Sequence, residues 1–131
     1  MFEDVPDFLA ALHEAKIATA LVTNSSRPAQ LAKLEAVGLE SAFDAVVISA
    51  EIGVAKPEVG IFEAALDPLQ LTSADAWHVG DSLWTDVAGA AAAGIFSVWL
   101  NRGKRQTADS EPRPGLEINS LRELSDLLGL N

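Results

Sequence analysis

The 131 residues contain no cysteine, few basic residues and no long apolar segment, and each shortage excludes a class of protein. Without cysteine the chain forms no disulfide and no thiolate metal site, which fits a cytoplasmic protein. Nine lysines and arginines against 19 aspartates and glutamates leave a net charge of −10, which argues against a nucleic-acid partner. No apolar run reaches about 18 residues, so we expect no membrane span. The first residues lack the basic and apolar regions of a secretory signal.

Apolar runs of strand length alternate with segments of helical periodicity. We predict strands over residues 17–22, 45–48, 76–79 and 95–100, and helices that begin at or beside Asp4, Ser25 or Ser26, Lys56, Asp86 and Ser120. Asp4 and one of the two serines are the predicted N-caps, Gly38 the predicted end of the second helix, and Ser120 with Glu123 a predicted capping box. This alternation predicts an α/β fold, a three-layer sandwich in which a Rossmann-like parallel sheet carries helices on both faces. The length fits a single domain over residues 1–131, and the polar stretch 101–115 is typical of a surface loop.

The sequence HVGDSLWTD at residues 78–86 places two acids directly after a predicted strand. Asp81 ends the apolar run, and Asp86 precedes an alanine-rich helix. Ligands of open α/β sheets bind at the carboxyl ends of the strands. Mg²⁺ is often held by one or two carboxylates together with a substrate phosphate, so the two acids predict a metal-assisted phosphate site. Within the same stretch we expect His78 to be structural and Trp84 to anchor the loop on apolar neighbours.

Each of the polar motifs also has a purely structural interpretation. Asp81 and Asp86 are typical of a helix N-cap and a first-turn acid. Thr23-Asn24 on its own fits turn chemistry, and Lys56-Pro57 on its own fits a solvated helix start. A shared functional site is favoured because all three motifs follow predicted strands of one parallel sheet. The carboxyl ends of those strands lie at the same edge of the sheet.

Three features follow strands in the order Thr23-Asn24, Lys56-Pro57 and Gly80-Asp81 with Asp86. In this order they resemble motifs II, III and IV of the haloacid dehalogenase-like (HAD) hydrolase superfamily. The stretches FLAALHEAKIATALVTNSS, KPEVGIFEAAL and GDSLWTDVAGAAAAG, and the closing helix SLRELSDLL, share this resemblance. It therefore covers nearly the whole chain.

The resemblance implies a role for each motif. In that family a phosphoryl group moves to an aspartate nucleophile and is then hydrolysed, with Mg²⁺ bridging enzyme and phosphate. The Thr23 hydroxyl and the backbone N–H of Asn24 would bind phosphoryl oxygens. Lys56 would neutralise phosphate charge and keep the nucleophile ionised, which makes it the catalytic residue of this chain. Asp81 would bind Mg²⁺ directly, and Asp86 would hold a Mg²⁺-bound water or orient the loop.

The first motif of the family, DxDxT on an apolar strand, has no counterpart in this sequence. Asp4 and Asp7 are the only aspartates before Thr23, and neither follows a strand. In the family, the strand that carries the nucleophile lies between the strands that end here at Thr23 and Gly80. We therefore expect a HAD-like core without its N-terminal strand and cap, with weak Mg²⁺ binding and little or no turnover by this chain alone.

Three arrangements are open for the incomplete sheet: direct pairing of the flanking strands, a strand supplied by another chain or by the second copy of a homodimer, or unpaired edges. Two origins are equally open, a truncated product of a longer protein or a natural stand-alone remnant. Lys56 follows Thr23 by only 33 residues, which is too few for a large cap between them. Any cap would belong to the missing N-terminal part.

The sequence thus predicts the core of a Mg²⁺-dependent phosphomonoester phosphohydrolase that acts on a small phosphorylated metabolite. The alternative is a non-catalytic remnant that binds a small anion or a protein partner. A response-regulator receiver also uses acids, a threonine and a lysine on a parallel sheet. There, however, the acids come first and the lysine last, whereas here the two-acid loop follows Lys56.

Overall fold

The computed structural model describes residues 3–39 and 41–130. Five strands occur in chain order: β1 Ala20–Thr23, β2 Ala45–Ile48, β3 Trp77–Gly80, β4 Phe96–Leu100 and β5 Leu116–Ile118. Six helices accompany them: α1 Asp4–Glu14, α2 Arg27–Ala36, α3 Ser49–Ile52, α4 Val59–Leu66, α5 Ala88–Ala92 and α6 Leu121–Leu128. Strands alternate with helices as the sequence predicts, so the α/β fold class is confirmed.

The strands form two separate parallel sheets. β1 pairs with β2, with Ala20 opposite Ala45, and β3, β4 and β5 form the second sheet in that order. Within the described residues β1 and β3 do not pair with each other. Direct pairing of the flanking strands, one of the three arrangements left open by the sequence, is therefore not observed in the described residues. A strand from another chain or from a second copy stays a prediction.

Helices cover both faces of the strands. Phe8 of α1 and Leu124 of α6 pack with Val98 on one face, in a cluster completed by three further buried residues, Leu12, Ile118 and Leu121. On the other face Phe62 of α4 and Ala90 of α5 pack with Val47 of β2. The second cluster joins the two sheets, because it also receives Ala20 and Val22 from β1 and Ala76, the residue before β3.

Local signals in the sequence set several element boundaries. The Ser26 side chain accepts a hydrogen bond from the Ala29 N–H and caps α2. Gly38 follows α2 with a φ of +73°, a conformation in which glycine carries no steric cost. Strand β2 has the predicted bounds. Ser120 accepts from the Glu123 N–H, whereas the Glu123 carboxylate turns to the Asn119 N–H, so only half of a capping box forms.

Four expectations were wrong in detail. Asp4 does not cap α1, whose N-cap is Glu3; it pairs with Arg102 instead. Helix α4 begins at Val59 rather than at Lys56-Pro57. The helix expected after Asp86 begins earlier, because Ser82 accepts from the Thr85 N–H and caps a π-helical turn over Leu83–Val87 that continues into α5.

The fourth is the number of strands, because the unpredicted strand β5 follows the stretch 101–115. That stretch is a surface loop, as expected, and side chains hold it in place. Asn101 donates to the Arg105 carbonyl at 2.8 Å and to Glu117 at 2.9 Å. Ser97 accepts from the Gly115 N–H at 3.0 Å. None of the helices in the described residues has the length and apolar character that crossing a bilayer requires.

Candidate active site

Lys56 lies between the loops that follow β1 and β3. The Asn24 side chain holds its backbone: Oδ1 accepts from the Lys56 N–H at 2.9 Å, and Nδ2 donates to the Lys56 carbonyl at 3.2 Å. The Lys56 ammonium forms an ion pair with Asp86, with Nζ 2.7 Å from Oδ1. One lysine thus connects the end of the first sheet to the acidic loop of the second.

Asp86 is buried, and both of its carboxylate oxygens have partners. Oδ1 also contacts His78 Nε2 at 2.9 Å, and Oδ2 accepts from the Ser82 N–H at 3.2 Å. Burial by itself raises the pKa of Asp86, but hydrogen bonds from His78 and Lys56 outweigh burial and hold the pKa at about 2. Asp86 is therefore an anion at neutral pH, and it fixes both Lys56 and the start of its own loop.

Gly80 allows Asp86 to lie against strand β3. A Cβ at position 80 would overlap the Asp86 carboxyl group, so no other residue fits without moving the acid. His78 precedes Gly80 by two residues and therefore lies on the same face of the strand. Its ring meets the edge of Phe62, with centroids 4.9 Å apart and planes at 87°. The Phe62 contact and the Asp86 hydrogen bond together fix the imidazole.

The Thr23 hydroxyl lies in a small polar cluster at the end of β1. Its Oγ1 accepts from the Ser25 N–H at 3.2 Å and is 2.9 Å from the Ser25 hydroxyl. Both hydroxyls contact Gln30 Oε1, at 3.3 Å from Thr23 and 3.1 Å from Ser25. Because Thr23 Oγ1 donates to Gln30 Oε1, a bound anion would have to compete with Gln30 for the Thr23 proton.

Asp81 follows β3 directly and presents an exposed side chain. Among residues 3–39 and 41–130, no hydrogen bond to its carboxylate is formed. Its backbone carbonyl accepts from the Trp99 indole N–H at 3.1 Å. Asp81 thus combines a fixed backbone with a carboxylate that is open to a ligand.

Trp84 does not anchor the acidic loop, and that expectation was wrong. Its side chain is 60% exposed, whereas Leu83 and Val87 are buried. These two neighbours, four residues apart on the helical turn, share the inward face and pack with Trp99. Trp84 is on the outer face of this turn.

The structure brings together all of the site residues expected from the sequence. Thr23 and Asn24 end β1, Asn24 binds Lys56, Lys56 binds Asp86, and Asp86 binds the residue after Asp81. Their roles in binding phosphate or metal stay predictions. In the described part of the chain, no group of three or more acids or histidines is arranged to hold a metal ion.

The sequence alone missed several contacts, namely those of His78, Ser25, Gln30 and Trp99. The His78 contact had a detectable signal, because strand periodicity places His78 and Gly80 on one face and the acid packs against that glycine. The Trp99 contact had none, because it depends on the register that places Trp99 opposite Gly80.

Comparison with known proteins agrees with this geometry. The haloacid dehalogenase-like hydrolase family matches residues 1–94. The phosphoserine phosphatase of Thermus thermophilus is 37% identical over 124 residues, which cover 95% of this chain and 49% of that protein. The glyceraldehyde 3-phosphate phosphatase of Methanopyrus kandleri is 39% identical over 132 residues, which cover 97% of this chain and 56% of that protein.

A solved structure supports the same relationship. The putative HAD-hydrolase YfnB of Bacillus subtilis, bound to magnesium, superposes with a TM-score of 0.88 at 26% identity, over 97% of this chain and 55% of that one. This chain spans about half the length of the curated relatives it matches. The family match extends over more than half of the sequence, and the motifs that carried the resemblance lie within it. The chain therefore belongs to the haloacid dehalogenase-like hydrolase family.

Proposed function

We propose that this chain supplies the phosphate- and cation-binding half of a Mg²⁺-dependent phosphomonoester hydrolase. The observation that carries the proposal is the position of Lys56, whose backbone is held by Asn24 and whose ammonium is held by Asp86. Phosphoryl transfer depends on fixed positive charge and hydrogen-bond donors around the phosphate rather than on covalent chemistry by many groups. A lysine fixed at both ends, in the same region as the Thr23 hydroxyl, meets that requirement.

Three groups would bind the phosphoryl oxygens. The Thr23 hydroxyl, which donates to Gln30 Oε1 at 3.3 Å, would turn its proton to a phosphoryl oxygen. The backbone N–H of Asn24 lies next to it in the chain. Lys56 would add positive charge, and Asp86 holds that ammonium in place.

Asp81 is the residue that fits a Mg²⁺ ligand. Its carboxylate is exposed and has no hydrogen-bond partner in the described residues, whereas both oxygens of Asp86 are engaged. Mg²⁺ commonly takes one or two carboxylates and completes its shell with water and substrate phosphate. When bound, the cation would neutralise charge on the transferring phosphoryl group. Asp86 would contribute through a bound water or by orienting the loop.

The nucleophile must come from a segment outside the motifs of this sequence. β1 and β3 each pair on one side only, so each offers unpaired backbone groups to a further strand. We infer that an extended segment with a DxDxT motif at its carboxyl end completes the sheet between them. Without it we expect weak Mg²⁺ binding and little or no turnover by this chain.

The substrate would be a small phosphorylated metabolite, and this half of the site would recognise its phosphate rather than the remainder. Two relatives with different named substrates, phosphoserine and glyceraldehyde 3-phosphate, match nearly the whole chain at similar identity. Residues shared between them therefore fit a common phosphate site. The chemistry that selects one metabolite would lie elsewhere in the complete protein.

Complementation in trans tests the proposal. A synthetic peptide with an apolar run followed by Asp-X-Asp-X-Thr is added to the purified chain, and p-nitrophenyl phosphate hydrolysis is followed with Mg²⁺. We expect no turnover by the chain alone and measurable turnover with the peptide. Asp81→Asn or Lys56→Ala should lower that turnover by about 100-fold or more.

Two controls make the result interpretable. A peptide with asparagine in place of the first aspartate should bind but give no turnover. Asp7→Asn, which changes an exposed acid of α1, should leave the rate unchanged. Turnover by the chain alone that disappears in Asp81→Asn would contradict the expected inactivity. Turnover that survives Lys56→Ala would contradict the role of the lysine.

A second candidate function is non-catalytic binding of a protein partner, and the unpaired edges of β1 and β3 favour it. A strand from a second copy or from another protein would fill the same space. Hydrogen exchange distinguishes the two outcomes from an empty site, because amides of β1 and β3 become protected when a strand pairs with them. Protection together with a dimer by light scattering favours self-association, and protection by peptide without turnover favours partner binding.

A further inference from the structure

The peptide group between Asp81 and Ser82 is held from both sides. Its carbonyl accepts from the Trp99 indole N–H at 3.1 Å, and its N–H donates to Asp86 Oδ2 at 3.2 Å. Two hydrogen bonds restrict the rotation of this peptide plane, and they therefore restrict the position of the Asp81 Cα from which the side chain leaves the backbone. The Asp86 half of this arrangement belongs to the site already described, whereas the Trp99 half does not.

Trp99 is itself well supported. It lies on β4 opposite Gly80, is 2% exposed, and packs with Leu83 and Val87. The guanidinium of Arg105 lies over its ring, 5.4 Å from the centroid, which is within the range of a cation–π contact.

Arg105 is in turn held by the loop that follows β4. Its guanidinium makes two contacts of 3.0 Å with Glu111, and its backbone N–H donates to the Asn101 side chain at 3.0 Å. Through Arg105, the loop residues 101–111 therefore contact one face of the indole, whereas Asp81 meets its N–H edge.

We propose that Trp99 is a positioning residue for Asp81 and that the loop 101–111 supports this position by packing Arg105 against the indole. The inference rests on the proposed function, in which the Asp81 carboxylate binds a divalent cation. Outer-sphere contacts that orient a ligand commonly change metal affinity by about 10- to 100-fold, and here the contact orients the backbone that carries the ligand.

A competing interpretation is that Trp99 only fills the core, and it makes a different prediction. A phenylalanine would supply most of the same apolar packing against Leu83 and Val87, so a core role tolerates Trp99→Phe. A positioning role does not, because phenylalanine has no N–H and would leave the Asp81 carbonyl without its donor. The same substitution therefore separates the two roles.

The test uses the full chain and Mn²⁺ as the probe cation, with binding followed by electron paramagnetic resonance. We expect Trp99→Phe to weaken Mn²⁺ binding about tenfold and to shift the Ser82 amide resonance, since that amide belongs to the held peptide group. Arg105→Ala should weaken binding by about two- to fivefold, which corresponds to an exposed cation–π contact. Trp77→Phe is the matched control and should change neither readout, because Trp77 is 49% exposed at the other end of β3.

The outcomes distinguish this inference from the proposed function. If Asp81→Asn leaves Mn²⁺ affinity unchanged, the proposed cation role of Asp81 fails. If Asp81→Asn weakens binding but a folded Trp99→Phe variant binds within twofold of the original chain, the positioning role fails.

Should Trp99→Phe not fold, indole hydrogen exchange in the unsubstituted chain decides. The Trp99 N–H must exchange far more slowly than that of Trp84, which is 60% exposed, and equal rates would overturn the inference.

Discussion

The two sheets differ in how completely their strands are used. β4 pairs on both edges, and Ser97, Val98 and Trp99 at its centre are all buried. β1 is of similar length and also parallel, yet it pairs on one edge, and its four residues are all only half-buried. β4 is thus a central strand that is paired on both edges. β1 is paired like an edge strand, although its apolar sequence is typical of a central strand.

The first sheet is therefore held to the second by side chains rather than by a strand ladder. Its links are the shared core cluster around Phe62 and the ion pair between Lys56 and Asp86. The second sheet also has a cluster of its own with α1 and α6. Two kinds of substitution test this difference between the sheets: removal of the ion pair, and matched truncations in β4 and β1.

The largest effect is expected from Asp86→Ala. The Lys56 ammonium, whose side chain is only 15% exposed, and His78 would lose their common anion, which should cost about 3 kcal/mol of unfolding free energy. Urea denaturation measures it. Asp81→Ala in the same loop is the control, with a change within about 0.5 kcal/mol, because its carboxylate is exposed and unpaired in the described residues. Equal losses in both variants would mean that the ion pair does not link the sheets.

A matched pair of truncations compares the strands directly. Val98→Ala in β4 should lower the unfolding free energy by about 2 kcal/mol, because Val98 is fully buried between the strand and helices α1 and α6. Val22→Ala in β1 should cost about half as much, because that side chain is only partly buried. The measurement is again urea denaturation at neutral pH. A larger loss at Val22 would contradict the incomplete burial of the first sheet.

Acid should weaken the same link. The pKa of Asp86 is about 2 in the folded chain against an ordinary 3.8, so the folded state favours the anion. The resulting stability, about 2 kcal/mol, is present above pH 4 and is lost as the pH falls from about 4 towards 2. Denaturation curves across this range should show the loss, and Asp86→Asn should remove most of it. An unchanged slope in Asp86→Asn would assign the acid sensitivity to other carboxyl groups.

The smallest effect is expected within the second sheet. Asp4 receives two hydrogen bonds from Arg102 and one from the Leu121 N–H, and these bonds tie α1 to the start of α6. The hydrogen bond from Arg102 holds the pKa of Asp4 below its ordinary value. Asp4→Asn should lower the melting temperature modestly, by an amount that corresponds to about 1 kcal/mol. Asp7→Asn on the exposed side of α1 should have no measurable effect, and a loss equal to that of Asp4→Asn would exclude the tie.

Sequence predicted best what local chemistry decides. Ser26 as a cap, Gly38 as a helix terminator and the bounds of β2 depend on a few adjacent residues, and all three are confirmed. The site was anticipated because parallel strands end at one edge, so residues after β1 and β3 meet there. Periodicity and family resemblance together were enough to predict that Thr23, Lys56 and Asp81 lie in one region.

What sequence did not predict depends on partners far along the chain. Asp4 is a plausible cap for its own helix, but Arg102 lies 98 residues away and binds it instead. Strand β5 has only three residues and follows the polar stretch 101–115. Its pairing with β4 is what makes it a strand. The pairing of Lys56 with Asp86 rather than with a substrate anion depends on burial, which a sequence does not display.

The missing side chain at position 80 has a consequence for the whole molecule. Any carbon at that point would displace the Asp86 carboxyl group, and Lys56 and His78 would lose their shared oxygen together. A methyl group would thus break the ion pair that links the two sheets and leave the cluster around Phe62 as the link that remains. Gly80→Ala should therefore weaken the contact between the two sheets without weakening the packing within either hydrophobic cluster.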